Sequence, residues 1–384
     1  MENITLKELK LRNFRNYKYQ KLENLGQLNI ILGPNAVGKT NIIEAISLLS
    51  SAVSIKKNNL SHLILDGEQE AKIEGSVEGG SRQIDLCVKI SPDAKKYLVN
   101  SKPKKLIDVK DLLLYVSFIP EDLQIIKSGS SMRRKVVDKL GSQISKSYYT
   151  VLKDYEKVLQ YKSSLLKNCD NYDYLESVNS ILAKVGARLY VLRSELIKKL
   201  LSKVEIFYKE ITHENISLNY LYIPSYDARD CNSVANDISK YCAQIVRDEM
   251  TESTSETELL MQISKFAQDE KRTKRVLIGP HQDLIELYID LKNVKMYASQ
   301  GQQRSLILAI KLAEKAILKE RFHKEPILLF DDVLSELDPQ RTRCLTEILN
   351  TGSQSFITTT DLSCLDKKII DSANIINLSK VSSD

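Results

Sequence analysis

Tryptophan is absent from this chain of 384 residues, and its tyrosines and phenylalanines form no aromatic cluster along the sequence. A base-stacking platform is therefore not signalled. The six cysteines (Cys87, Cys169, Cys231, Cys242, Cys344 and Cys364) include no CxxC pair, so spacing supports neither a disulfide frame nor a zinc site. The four histidines are equally dispersed, which excludes a His-rich metal site. No uncharged apolar run is long enough for a transmembrane helix, so no membrane partner is expected. The opening "MENITLKELKLRNF" alternates like a strand and lacks the apolar core of a signal peptide, which points to the cytoplasm. What remains is 42% hydrophobic and 28% charged, enough for real cores in a soluble chain. A net charge of +6 permits a nucleic-acid partner without demonstrating one, because a binding face needs clustered charge.

The length allows two or three domains, or one large domain with an insertion. "ITLKELKLRNF" and "LNIILG" read as strands, with a helix from Lys39 through "TNIIEAISLLSS". "AKIEGSVEGGSRQIDLCVKISPDAKKYLVNSKP" alternates between Gly, Ser and Pro turns, as an antiparallel meander does. From about Met132 to Tyr208 the chain is helical, lysine-rich and nearly free of Gly and Pro. Two helices packed as a hairpin, broken at "KNCDNYD", are expected there. "TESTSETE" either begins a helix or is a polar loop. The α/β pattern then returns: "RVLIGPHQDLIELYIDLKNVKMYAS" suggests strands, followed by a helix, a strand and helix at "PILLFDDVLSELDPQRTRCLTEIL", and short strands at "QSFITTTD" and "ANIINLSKV". The expected fold is α/β, a P-loop head split by a helical insertion. The expected domains are residues 1–118 and 274–384 for the head and 119–273 for the insertion.

"GPNAVGKT" fits G-x-x-x-x-G-K-[ST] and stands between a buried strand and a helix, where the mechanism requires it. Its residues are Gly33, Pro34, Asn35, Ala36, Val37, Gly38, Lys39 and Thr40. Glycines let successive N–H groups converge on phosphate oxygens, and the helix N-terminus adds partial positive charge. Lys39 is expected to neutralise the β- and γ-phosphates of ATP and Thr40 to ligate Mg²⁺. "PILLFDDVLSELD" places Asp331 and Asp332 at the end of an apolar strand, where an open parallel sheet meets its ligand. Asp331 would hold the metal, and Asp332 would orient or activate the attacking water. Alone, that pattern is also a plain strand ending in an acidic turn.

"YASQGQQRSLILAIKLAEK" gathers Ser299, Gln300, Gly301, Gln302 and Gln303 at a helix start. A loop and cap would explain it. So would an anion site, since a helix start offers N–H groups. Leu306, Ala309, Ile310, Ala313 and Ile317 give this helix one buried face. The P-loop already has its own helix N-terminus, so a second one makes sense if two protomers sandwich the nucleotide.

"SQGQQ" resembles the signature of ABC-type ATPases, and "SELD" (Ser335 to Asp338) resembles their D-loop. The fuller resemblance is to the RecF family, related to Rad50 and SMC heads. It rests on "LRNFRNY", "GPNAVGKTNIIEAI", "FIPEDLQIIKSGSSMRRKVVDKL", "YEKVLQYKSSLLK", "LIGPHQDL", "SQGQQRSLILAIKLAE" and "LLFDDVLSELDPQR", in family order along nearly the whole chain. It implies an ABC head without a long coiled coil, and an ATP-dependent homodimer that binds DNA at single-strand gaps. It also implies a weak ATPase that acts with RecO and RecR to load RecA, in the cytoplasm and associated with the nucleoid. By position, Asp332 takes the catalytic-glutamate place, and Ser299 to Gln303 complete the partner's site. Arg15 and Asn16 fall where related heads contact nucleotide.

"GPHQDL" carries Gln282 and Leu284 where the family usually has an arginine and an aspartate. No transporter-type switch histidine follows the acid strand, and Thr359 or Thr360 stands there. For the Q-loop, Gln124, Glu121 and Asp122 are the alternatives. "KKYLVNSKPKKLIDVK" and "SMRRKVVDK" are basic, although solvated charged faces have the same composition. Any DNA contact is expected to be phosphate-dominated, sequence-independent and salt-sensitive. A transporter subunit would need a shorter P-loop-to-signature interval, and an SMC arm protein would need long heptad stretches. A P-loop nuclease would need a further acidic cluster, and a small-molecule kinase would leave "SQGQQ" and "SELD" without a role.

Overall fold

The computed structural model describes residues 4–51, 59–79, 82–168, 174–225, 251–333, 349 and 352–378. Its strands begin with β1 (Thr5–Phe14), β2 (Tyr17–Leu22), β3 (Leu28–Leu32), β4 (Ala71–Gly79), β5 (Arg82–Ile90), β6 (Lys95–Val99), β7 (Lys102–Lys104) and β8 (Tyr115–Phe118). They continue with β9 (Leu218–Ile223), β10 (Leu284–Ile289), β11 (Lys292–Asn293), β12 (Ile327–Asp331), β13 (Ser355–Thr359) and β14 (Asn374–Asn377). The longer helices are α1 (Lys39–Ser51), α2 (Ser130–Ile144), α3 (Lys146–Asn168), α4 (Leu175–Thr212), α5 (Glu252–Lys265) and α6 (Gln300–Phe322).

Two compact units result, one from Met1–Asp122 with Glu314–Asp384 and the other from Leu123–Ala313. Residues 274–313, expected with the head, thus group with the helices. The first unit holds an antiparallel sheet in the order β2-β1-β4-β5-β6-β7 and a parallel sheet in the order β14-β3-β13-β12-β8. β1 turns Leu6, Leu9, Leu11 and Phe14 inward, its alternation broken by a register shift between Leu6 and Glu8, and α1 supplies Ile42, Ile43, Ile46 and Leu49 to the same core. Each such side chain contributes roughly 1.5–3 kcal/mol on burial, which outweighs any local propensity in so short a strand. Buried Gln354 joins the two sheets: its amide accepts from Leu6 N at 2.7 Å and donates to Leu6 O and Gly26 O at 2.8 Å.

In the second unit α3 packs on α4, and α4 on α5. Thr251 caps α5 by accepting from Thr254 N at 3.2 Å, so "TESTSETE" begins a helix. A further break at Ser145 separates α2 from α3, beyond the one read at "KNCDNYD". "RVLIG" forms no strand, although Val276 and Ile278 are buried. The chain turns at Gly279 (φ +143°) into a short 3-10 turn before β10 begins. "VKMY" is one helical turn rather than strand, capped where Asn293 Oδ1 accepts from Lys295 N at 3.0 Å. Helix α6 is buried nearly all round from Ser305 to Lys315, rather than on one face. Among the described residues no helix is long and apolar enough to cross a membrane.

Candidate nucleotide-phosphate site

All pairs in the five-stranded sheet are parallel, so the carboxyl ends of β3, β12 and β13 share one edge. Beyond β3 the chain curls from Gly33 to Gly38 and enters α1 at Lys39. Ala36 (φ +64°) and Gly38 (φ +109°) take the left-handed conformations that make this curl. A Cβ at Gly38 would lie 2.6 Å from Tyr17 Oη and 2.8 Å from the Asn16 amide, so glycine is required there. The turn between β1 and β2 braces the loop: Asn16 Nδ2 donates to Val37 O at 3.1 Å, and Tyr17 Oη donates to the same oxygen at 3.4 Å. Asn41 Nδ2 donates to Asn16 Oδ1 at 2.7 Å, tying the same turn to α1.

Lys39 is 8% exposed, and its ammonium donates to Gly33 O at 2.6 Å and Pro34 O at 2.9 Å. Burial pushes its pKa below the ordinary lysine value, while the charges of Asp332 and Asp331 oppose that shift. A cation held inside an anion-sized curl at a helix N-terminus suits a phosphate chain. Pro34, Asn35 and Ala36 form the exposed tip of the loop.

Asp331 ends β12 and is buried. Thr40 Oγ1 donates to Asp331 Oδ1 at 3.0 Å across 291 residues of sequence. Thr358 of β13, paired in register with Asp331, donates to the same oxygen at 2.8 Å. Its hydroxyl also accepts from Asp332 N at 3.0 Å, holding Asp332 at φ +52°. Such a backbone conformation costs roughly 1–3 kcal/mol and persists only when its surroundings fix it.

Arg15 points at α1, donating to Glu44 Oε2 at 2.9 Å, to Glu44 Oε1 at 3.0 Å and to His62 O at 2.9 Å. Thr359 is buried and its hydroxyl closes the turn at Asp361, while Thr360 is exposed. Asp122 likewise caps its own turn, accepting from Ile119 N at 2.8 Å, and Glu121 is exposed. Gln124, in the second unit, accepts from Ser128 Oγ at 2.8 Å. Ser335 and Asp338 lie outside the described residues. Thr358 and Glu44 were not singled out from the sequence; the register of β13 against β12 is the signal that finds Thr358.

The signature residues belong to the second unit. Ser299 Oγ accepts from Gln302 N at 3.2 Å, and Gln302 Oε1 accepts from Ser299 N at 3.0 Å. This is a reciprocal capping box, so the local cap explanation holds as far as it goes. Gln303 is buried, and its Nε2 donates to Ala298 O at 3.0 Å while its Oε1 has no hydrogen-bond partner. Gln300 is exposed and Gly301 half-buried. In "LIGPHQDL", Gln282 is exposed and Leu284 opens β10. Asp283 between them is buried, accepting from Tyr222 Oη at 2.7 Å and Ser225 N at 2.8 Å.

A family model described as RecF/RecN/SMC N terminal domain matches residues 5–381. The DNA replication and repair protein RecF of Lactobacillus johnsonii is 32% identical over 380 residues, covering 97% of each chain. The chain belongs to the RecF family. RecF of Alkaliphilus oremlandii is 35% identical over 365 residues, covering 94% of this chain and 95% of its own. A solved structure of the recombination mediator protein RecF-ATPrS in the RecFOR pathway superimposes with a TM-score of 0.84 at 32% identity, covering 99% of both chains. RecF-ATP gives 0.81 at 33% identity, covering 94% of this chain and 95% of its own. The Smc head domain from Pyrococcus furiosus, at 15% identity and a TM-score of 0.51 with 98% and 94% covered, shares the fold alone. RecF and SMC heads thus have the fold found here, an α/β ABC-type ATPase head.

Proposed function

We propose that the chain is an ATP-dependent DNA-binding protein of recombinational repair and replication restart. The observation that carries this reading is the 3.0 Å approach of Thr40 Oγ1 to Asp331 Oδ1, at the edge where the P-loop and the acid strand end. Both are hard oxygen donors, and adjacent ligands of an octahedral ion bound at about 2.1 Å are about 3 Å apart, so the pair fits Mg²⁺. The bound ion would supply charge to the β- and γ-phosphate oxygens.

In this reading the amides from Gly33 to Thr40 cradle the phosphates. Lys39 leaves the loop carbonyls for the γ-phosphate, and Asn16 holds the loop's shape. Asp332 orients a water in line with the γ-phosphorus and accepts its proton on a carboxylate oxygen. Ser299 and Gly301 of a second copy, with Gln300, Gln302 and Gln303, close the site over the γ-phosphate. Hydrolysis is slow and serves to release the dimer from DNA. The names RecF-ATP, RecF-ATPrS and RecFOR pathway, attached to similar structures, support ATP as ligand and RecR with RecO as partners. The site of action is a single-strand gap, where RecA is loaded.

Sedimentation of wild type, Lys39→Ala and Ser299→Arg with ATP, ADP and DNA tests the reading. It requires a dimer with ATP, none with ADP, and loss of the ATP dimer in both variants. A wild-type protein that stays monomeric while hydrolysing ATP at full rate overturns it.

A further inference from the structure

The outward face of the six-stranded sheet carries charges that the nucleotide site does not use. Register sets Arg12 of β1 directly opposite Lys72 of β4, Lys72 opposite Lys89 of β5, and Lys89 opposite Lys96 of β6. The adjacent rung of Leu11, Ile73, Val88 and Tyr97 is buried, so the cationic rung faces out. Strands lie about 4.8 Å apart, which makes the row roughly 14 Å long and straight across four strands.

Like charges placed directly opposite one another destabilise a sheet. The neighbouring rung avoids this, because Lys10 and Lys21, also opposed, are paired with Glu8 and Glu23. In the outer row only Lys72 has such a neighbour, Glu74 at 2.7 Å. Among the described residues no carboxylate pairs with Arg12, Lys89 or Lys96. A merely solvated face is served by the compensated arrangement. An anion array laid along the uncompensated row relieves that repulsion.

We propose that this row is a docking strip for the phosphate backbone of duplex DNA, which deepens the DNA-binding reading above and rests on it. Duplex DNA carries one negative charge per about 1.7 Å of axis with both strands counted, so it offers a dense linear array of anions to a strip of roughly 14 Å. A lipid surface has no such linear repeat. Glu68 and Glu70 line a groove of about 520 Å³ with Arg12, Lys72 and Lys89, and Asn13 Nδ2 donates to Glu68 at 3.0 Å. They repel phosphate and so confine the backbone to the row. The strip lies toward the end of β1 that continues into Arg15 and Asn16, the turn that braces the P-loop.

The test is the salt dependence of binding to a labelled blunt duplex, with ATP present, for wild type, Lys89→Gln/Lys96→Gln and Glu70→Gln. The double variant is expected to bind at least tenfold more weakly at low salt. Its slope of log Kobs against log salt should be shallower by about 1.8, at about 0.9 per lost contact. Glu70→Gln should bind more tightly. The thermal midpoint of the double variant should equal or exceed that of wild type, which separates lost contact from lost fold. An unchanged slope with wild-type affinity overturns the strip and leaves the DNA reading standing. A wild type that binds no duplex overturns both. Loss of binding to anionic vesicles, with duplex binding intact, also overturns the strip.

Discussion

At the scale of single residues, the acid pair of Asp331 and Asp332 depends on a hydroxyl that the sequence does not single out. "FITTTD" offers three threonines in a row, and the β12–β13 register selects Thr358 as the one that meets Asp331. Thr358→Val keeps the shape but leaves the Asp331 carboxylate and the Asp332 amide each short of a partner. It should cost about 1–3 kcal/mol in urea unfolding and lower ATP hydrolysis; wild-type values for both would show that the hydroxyl is idle. The glycine in "AVGKT" was legible, because a P-loop needs it, but its close approach to Tyr17 and the Asn16 amide was not. Gly38→Ala drives a methyl group into Tyr17 and Asn16 at a left-handed position. It should destabilise by about 1–3 kcal/mol and abolish nucleotide binding in calorimetry. Ser299 was half legible: its capping box with Gln302 satisfies the local explanation, and only the assembly test separates that role from a phosphate contact.

At the scale of elements, alternation was a sound guide in β4 and β5, where one strand face meets the core. It misled at "RVLIG", where Val276 and Ile278 are buried without pairing into a sheet. It also understated α6, because covering all sides of a helix leaves no mark beyond the apolar stripe. The buried network of the second unit was equally illegible, since its partners are far apart in the chain. Arg193 Nε and Nη2 each donate to an Asp138 carboxylate oxygen at 3.0 Å, and Nη1 donates to Pro280 O at 2.8 Å. Nearby, Tyr155 Oη and His281 Nδ1 are 2.6 Å apart, and His281 Nε2 lies 3.2 Å from Val276 O. That arrangement suits a neutral ring that donates from Nε2 and accepts at Nδ1. Burial lowers the His281 pKa from 6.5 to about 4, helped by the charges of Arg134, Lys162 and Arg193. Between those values the unfolded chain takes up a proton that the folded one refuses. The stabilisation is therefore complete above about pH 6.5 and is lost as pH falls towards 4, by up to about 3 kcal/mol. Urea midpoints measured across that range should fall for wild type and fall less for His281→Gln; parallel curves would remove His281 as the cause.

At the scale of the whole molecule, membership of the RecF family rests on similarity along nearly the full chain, and the fold follows from it. The P-loop and the acid strand lie in one unit and the signature in the other, and the cooperation proposed for them across two copies would be a property of the assembly. Neither period nor composition encodes that cooperation. The redundancy of a second helix N-terminus and the likeness of "SQGQQ" to an ABC signature pointed to it. The central claim is that each ATP is held by the P-loop of one copy and the signature of another. Mixing Lys39→Ala with Ser299→Arg tests it most directly, because a mixed dimer contains one site built from two intact halves. The account predicts that each variant alone hydrolyses no ATP, and that the equimolar mixture recovers about a quarter of the wild-type rate. A mixture as inactive as its components, at concentrations where wild type dimerises, would contradict it.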